Sequence, residues 1–300
     1  MLKPTLKAKI TLILPVATCL IMAFLLLVTH HFFVNSVKKT IATQQNFSLH
    51  IMAENIDQKL ASTQQVLNEL AKKITPKLIS DPSLVFGFLQ SQSEHYIQFD
   101  NGLFLFDKDG RMIAEYPLGL QRTGTDYSFR SYLKETFETK KPVISDPYLS
   151  SQPHHHPAIV MTIPIFDAEG SIQAVLGGSI DLFQDNFLGK LSSLKIGDTG
   201  YLFLFDTNRT MIDHPDRARI MKQDIPLGAN LLLDRAIQGF DGTDETKNSR
   251  GLSTLTSFKH LQNKNWILGA NYPTKEAYAP IARLQLIFVA ISIPDRKSVV

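Results

Sequence analysis

The chain has 300 residues, 44% of them hydrophobic, a formal net charge of +3 at pH 7 and a single cysteine. That is apolar material for one or two ordinary cores. The small, dispersed charge argues against a nucleic-acid partner, and one cysteine excludes a disulfide-stapled scaffold.

Residues 10–37 hold no Asp, Glu, Lys or Arg and are dense in Leu, Ile, Val, Met and Phe. A helix needs about 20 apolar residues to cross a bilayer, and Lys3, Lys7 and Lys9 keep the N-terminus cytoplasmic. A signal peptide shares the basic start, but this run is too long and ends in His30-His31-Phe32-Phe33 rather than a small-residue cleavage site. The expectation is a cytoplasmic tail over 1–9, a transmembrane helix over 10–33 and an exported body. Cys19 falls inside the span, so the body is stabilised by packing alone.

Residues 34–75 contain neither Gly nor Pro. Leu49, Ala53, Ile56, Leu60, Thr63, Leu67, Leu70 and Ile74 follow one another by alternating fours and threes, a heptad-like seam on one long stalk helix. The seam serves either packing on the chain's own domain or contact with a second copy, and different faces could serve both. A homodimer through this helix is expected.

Gly102–Phe106 and Arg111–Ala114 read as strands joined by Asp107-Lys108-Asp109-Gly110. Asp-x-Asp-Gly also opens a calcium loop, but the twelfth position carries no Glu, so a turn is expected. Ser128–Thr139 reads as a short helix, and Ala158–Phe166 with Ser171–Ile180 as a strand pair. Another helix is expected near Leu182–Leu194. Phe203-Leu204-Phe205-Asp206 and Met211-Ile212 then repeat Phe104-Leu105-Phe106-Asp107 and Met112-Ile113, and Leu268-Gly269-Ala270 echoes Leu176-Gly177-Gly178. Self-similarity at that spacing points to a duplicated module. A helix over Ala229–Gln238 and strands over Leu252–Phe258 and Trp266–Tyr272 complete the second copy. The predicted class is α+β, two antiparallel-sheet modules over 76–190 and 196–273 carried on the long helix. An apolar run over 281–293 is expected to start a second transmembrane helix in which the chain is cut off.

The combination of the long helix with several motifs carries a resemblance. They are Asp126-Tyr127-Ser128-Phe129-Arg130-Ser131-Tyr132, Ser145-Asp146-Pro147-Tyr148 and Leu176-Gly177-Gly178-Ser179-Ile180-Asp181-Leu182. In the second half, Gly200-Tyr201-Leu202-Phe203, His214-Pro215, Asn265-Trp266-Ile267-Leu268 and Glu276-Ala277-Tyr278 follow. Over about 35–280 the chain resembles the double-Cache (tandem PDC, PAS-like) sensor domain of bacterial transmembrane receptors. The resemblance implies a membrane-distal and a membrane-proximal Cache module and a periplasmic small-molecule sensor in the bacterial inner membrane. It also implies an output domain beyond this chain, either methyl-accepting, histidine-kinase or diguanylate-cyclase. The proximal module is similar in style to those of diguanylate cyclases and sensor kinases.

The ligand site is expected in the distal module, where Arg130 stands among Tyr127, Phe129 and Tyr132. An Arg beside aromatic rings suits a carboxylate, held by two parallel hydrogen bonds between apolar walls. Tyr148 adds a ring and a hydroxyl, and Asp181 an acceptor for an ammonium. Relatives that bind amino acids carry Arg-x-Trp-Tyr, a later Tyr and a later Asp. Arg130, Tyr148 and Asp181 match that pattern, whereas Tyr132 replaces the Trp and Leu133 the Tyr. The alternative is a surface Arg130 and a strand-end cap at Asp181. Three consecutive side chains do not readily converge on one ion, so His154-His155-His156 reads as a loop over the pocket in which His155 touches ligand, with no metal. No nucleophile elbow, metalloprotease helix or phosphate loop is present, and neither catalysis nor a cofactor is expected.

Overall fold

The computed structural model describes residues 6–93, 97–117, 122–248 and 250–292. Helix α1 runs unbroken from Leu6 to Lys72. Its first part is long and apolar enough to cross a membrane, with Leu20, Phe24 and Leu27 exposed. Further on, all eight seam residues from Leu49 to Ile74 are at most 6% exposed. What covers them is the chain itself, so this seam is not available to a second copy. Two short helices follow, α2 (Pro76–Ile79) and α3 (Pro82–Ser91). Each begins with a proline behind a capping side chain, Thr75 and Asp81.

The distal sheet comprises β1 (Gly102–Asp107), β2 (Met112–Tyr116), β3 (Val143–Ile144), β4 (Tyr148–Leu149), β5 (Pro157–Phe166) and β6 (Ile172–Asp181), with helix α4 at Ser131–Thr139. The strand order is β2-β1-β6-β5-β3, with β4 also on β5, and every pairing is antiparallel. The Asp107 carboxylate accepts the amides of Asp109 and Arg111, as a turn requires. The proximal sheet comprises β7 (Lys195–Ile196), β8 (Gly200–Asp206), β9 (Met211–Asp213), β10 (Gly242–Lys247), β11 (Ser253–His260) and β12 (Trp266–Pro273), with α5 at Leu231–Ile237. Its order is β10-β11-β12-β8-β7, with β9 also on β8.

The duplication extends to register. Phe104 lies opposite Gly177, and Phe203 opposite Gly269. A Cβ on Gly269 would run into the Phe203 ring, so the large–small pairing is steric. Strand pleating then sorts each sheet into two faces. Leu103, Leu105, Leu176, Leu202, Leu204 and Leu268 join the α1 seam in one continuous core. Phe104 and Phe106 point to the outer face of the distal sheet, Phe203 and Phe205 to that of the proximal sheet.

The helix expected near Leu182–Leu194 does not form; only a 3-10 turn at Leu191–Ser193 appears. Asn186 is the reason. Its side chain accepts the amides of Leu188 and Gly189 and donates to the Asp181 carbonyl, replacing helical bonds. The modules meet just beyond. Ser192 N–H donates to Asp213 Oδ2 at 2.8 Å, Arg217 Nη2 to the Phe183 carbonyl at 3.2 Å, and Lys264 pairs with Asp146 at 3.0 Å. Helices α6 (Thr274–Ala277) and α7 (Ala279–Ser292) leave the proximal sheet. The Glu276 carboxylate accepts the amides of Asp198 and Thr199, which explains why Gly197-Asp198-Thr199-Gly200 and Glu276-Ala277-Tyr278 belong together. Helix α7 covers most of the expected second span; residues from 293 onward lie outside the described residues.

Leu60 is fully buried between α1 and the sheets. Leu60→Ala is expected to cost about 2–5 kcal/mol, read as a lower thermal midpoint in detergent; an unchanged midpoint would mean that α1 does not pack as described. Burial and the Arg219 guanidinium hold His214 well below its ordinary value, at about 4. The folded state thus excludes a proton that the unfolded chain binds near 6.5, and the contribution is lost as pH falls through that window. His214→Gln should therefore lose less stability than the parent between pH 7.5 and 4.5, measured by thermal unfolding at each pH.

Candidate ligand-binding site

On the outer face of the distal sheet, opposite residues in register point the same way. Asp181, Ala158 and Tyr148 occupy one such row across β6, β5 and β4. Ser179 and Val160 occupy the next row on the same face, and the Tyr148 hydroxyl meets Ser179 Oγ at 2.9 Å. Helix α4 covers the face, its Thr136 hydroxyl bonded to that of Thr162 at 2.6 Å. It lays Tyr132, 5% exposed, against Tyr148 with ring centroids 5.4 Å apart.

Arg130 stands at the N-cap of α4. Its guanidinium lies over the rings of Phe129 and Tyr148, at 5.2 and 5.1 Å. Nη2 reaches the Leu149 carbonyl at a long 3.4 Å, and the buried Nε has no hydrogen-bond partner among the described residues. Tyr127 packs edge-on against Phe106 and stacks on Phe129. Burial raises the Tyr132 and Tyr148 hydroxyls above the ordinary tyrosine range. Both therefore stay neutral donors at physiological pH.

The sequence reading missed a buried ion pair on this face. Glu115 lies opposite Phe104 on β2, 2% exposed, and Arg122 Nη2 contacts its Oε2 at 2.5 Å. Arg122 Nε also donates to Glu115, and Nη1 to Ser151 Oγ at 2.7 Å. The available signal was a lone acid within the otherwise apolar strand Met112-Ile113-Ala114-Glu115-Tyr116. Glu115 takes up the charge of Arg122, whereas Arg130 has no carboxylate partner among the described residues.

Arg130, Tyr127, Phe129, Tyr132 and Tyr148 thus come together, and Asp181 shares their face. Asp181 is 1% exposed and already engaged. Its Oδ1 accepts the Phe183 amide, and its Oδ2 lies 2.8 Å from His156 Nδ1. It is therefore a strand-end cap as well as a residue of the face that carries Arg130 and Tyr148. His155 adopts a left-handed backbone (φ 50°) and turns its Nδ1 to the Ser150 carbonyl, so His154 and His156 face Asp181. Elsewhere, a cavity of about 420 Å³ lies between α1 and the proximal sheet, lined in part by Gln45, Met52 and Tyr272. The proximal outer face holds an opening of only about 20 Å³.

The Cache domain family matches residues 33–281 of this chain. The chain is 23% identical over 297 residues to the methyl-accepting chemotaxis protein McpA of Pseudomonas putida, covering 93% of this chain and 42% of that protein. It is 23% identical over 236 residues to PctB of Pseudomonas aeruginosa, a methyl-accepting chemotaxis protein, covering 78% and 33%. The chain thus spans less than half the length of the curated relatives it matches. Among solved structures, the ligand-binding domain of Mlp24 with asparagine superposes with a TM-score of 0.64 at 19% identity, covering 82% of this chain and 99% of that one. The ligand-binding domain of the Pseudomonas fluorescens chemoreceptor CtaA with L-isoleucine gives 0.63 at 21% identity, covering 82% and 98%. That of Pseudomonas aeruginosa PctC with GABA gives 0.59 at 19%, covering 77% and 99%. With the family matched over most of its length, the chain belongs to the Cache domain family.

Proposed function

We propose that this chain is the extracytoplasmic sensing part of a bacterial inner-membrane receptor, and that its distal module binds a small carboxylate-bearing metabolite. The observation that carries the reading is Arg130, an aromatic-clamped guanidinium with a buried N–H that has no partner among the described residues. An unmet buried donor costs on the order of 1–3 kcal/mol, and a carboxylate meets it with a charge-assisted bond. The neutral Tyr132 and Tyr148 hydroxyls lie beside the same position.

An amino acid is favoured within that class. Asp181 stands on the same face to receive an ammonium, and similar domains have been solved with asparagine, isoleucine and GABA. The role is binding rather than turnover. The output is carried by chain beyond the span, of the chemotaxis type in the relatives named above. The homodimer expected through α1 must use the face that the sheets leave uncovered, where Phe47 and Ile51 are exposed.

Calorimetric titration of the chain in detergent with amino acids and with amine-free organic acids tests the ligand. Arg130→Ala should weaken a carboxylate ligand by roughly 2–5 kcal/mol; undiminished binding would sink the assignment. Asp181→Asn should weaken amino acids selectively, and an equal effect on amine-free acids would remove the ammonium contact. For the dimer, Phe47→Cys on a Cys19→Ser background should cross-link between copies in membranes under mild oxidation. Its failure, with Ile51→Cys failing too, would exclude that face.

A further inference from the structure

We propose that His154, His156 and Asp181 form a binding site for a divalent metal ion of the zinc type. The three come from the loop before β5 and from the end of β6, and their nearest ligand atoms all lie within 4.8 Å of one another. His156 Nδ1 is 2.8 Å and His154 Nε2 4.0 Å from Asp181 Oδ2. A tetrahedral ion with bonds of about 2.0–2.1 Å holds its ligand atoms roughly 3.3 Å apart. The two separations to Asp181 straddle that value and the third is no more than 4.8 Å, so displacements of at most about 1.5 Å close the triangle.

The backbone arranges this convergence. Positive φ is uncommon for a residue with a side chain, and His155 adopts it. That twist swings its neighbours to one side, with the His154 and His156 rings 4.2 Å apart. The loop is pinned by Ser150 N–H to the His156 carbonyl and His155 N–H to the Gln152 carbonyl, each 3.0 Å. Asp181 is anchored through its other oxygen by the Phe183 amide. Two imidazoles and one carboxylate suit zinc, nickel or copper better than the all-oxygen preference of magnesium or calcium.

Binding trades existing bonds for the metal. The hydrogen that His156 Nδ1 shares with Asp181 moves to Nε2. The His154 ring, whose Nδ1 accepts the His156 amide at 3.0 Å, takes hydrogen at Nδ1 and frees Nε2. No net proton leaves two neutral rings, and the loop gives up two hydrogen bonds, as befits a reversible ion. Three protein ligands leave a fourth position open on the partly exposed histidine side. The site also touches the module junction, because the His156 ring packs 5.0 Å from Phe183, and Arg217 of the proximal module covers Phe183 at 4.9 Å. It stands whether or not Arg130 takes a carboxylate.

The test is titration of the chain in detergent with zinc alone, by calorimetry and by metal analysis after gel filtration. One zinc per chain is expected. His154→Ala and His156→Ala should each weaken it roughly tenfold or more, while His155→Ala and Arg130→Ala leave it unchanged. X-ray absorption of the zinc-loaded chain should show two imidazole nitrogens and carboxylate oxygen. No stoichiometric zinc, zinc retained by the His154→Ala/His156→Ala double variant, or an equal loss in His155→Ala would overturn the site. Loss of amino-acid binding in Arg130→Ala with zinc binding retained would show that zinc does not need the Arg130 contact, although both ligands reach for Asp181.

Discussion

Everything in this molecule depends on the burial of one side of α1 against two sheets at once. Fully burying a Leu or Ile contributes about 1.5–3 kcal/mol, and the seam from Leu49 to Ile74 repeats that gain along both modules. Polar residues fix the register at the membrane end and midway. Gln45 donates to the Leu255 and Ala270 carbonyls, and the Asp57 carboxylate accepts the amides of Gln262 and Asn263. Because strands alternate their side chains, committing Leu103, Leu105, Leu202 and Leu204 to α1 forces Phe104, Phe106, Phe203 and Phe205 outward. The outer faces are therefore where the chain has freedom to build a site.

The two copies used that freedom differently. On the proximal face, Leu232, Leu233 and Ala236 of α5 pack against Phe203, Phe205 and Phe258. Its arginines are also spent: Arg219 grips Asp224 through two bonds of 2.6 and 2.8 Å, and Arg209 meets Asp234 at 2.6 Å. On the distal face Glu115 neutralises Arg122, but no carboxylate faces Arg130 among the described residues. A closed face with satisfied charges stabilises the fold. A face with an aromatic-clamped, partly unsatisfied guanidinium leaves hydrogen-bonding capacity unused, which is the capacity that the proposed carboxylate would take up.

Most of the fold could be read from the sequence because its determinants are periodic. The seam, the repeated Phe-Leu-Phe-Asp strands and the Asp-x-x-Gly turns are short-range patterns, and each formed where expected. The absent helix after Leu182 was less legible, since it turns on one side chain, Asn186, out-competing helical bonds. The site was partly legible. Arg130 lies within a few positions of Tyr127, Phe129 and Tyr132, whereas Tyr148 and the Glu115–Arg122 pair reach the same face only once the sheet has folded. The approach of His154 and His156 to Asp181 was not legible for a local reason: consecutive side chains diverge on regular backbone, and the left-handed His155 removes that regularity. No spacing rule announces a positive φ at a residue other than Gly.

The same constraint limits how a distal event can reach the membrane. The proximal module is tied to α1 through Gln45, Asp57 and the Lys38–Glu245 pair. It is tied to the start of α7 through Glu276 and through the Tyr278 hydroxyl on Glu245. Gln285 of α7 also meets His30 of α1 at 3.3 Å. A close-packed seam has discrete arrangements rather than a continuum of them. On the proposed receptor reading, a change between the modules at Ser192–Asp213 and Arg217–Phe183 would act as a shift of α1 against α7. A ligand can drive that shift only by as much as it prefers one arrangement over the other. Asp181 is the residue through which such a preference can act. It stands on the face that carries Arg130, caps Phe183 and faces His156, so whatever claims its carboxylate also bears on the residue that joins the two modules.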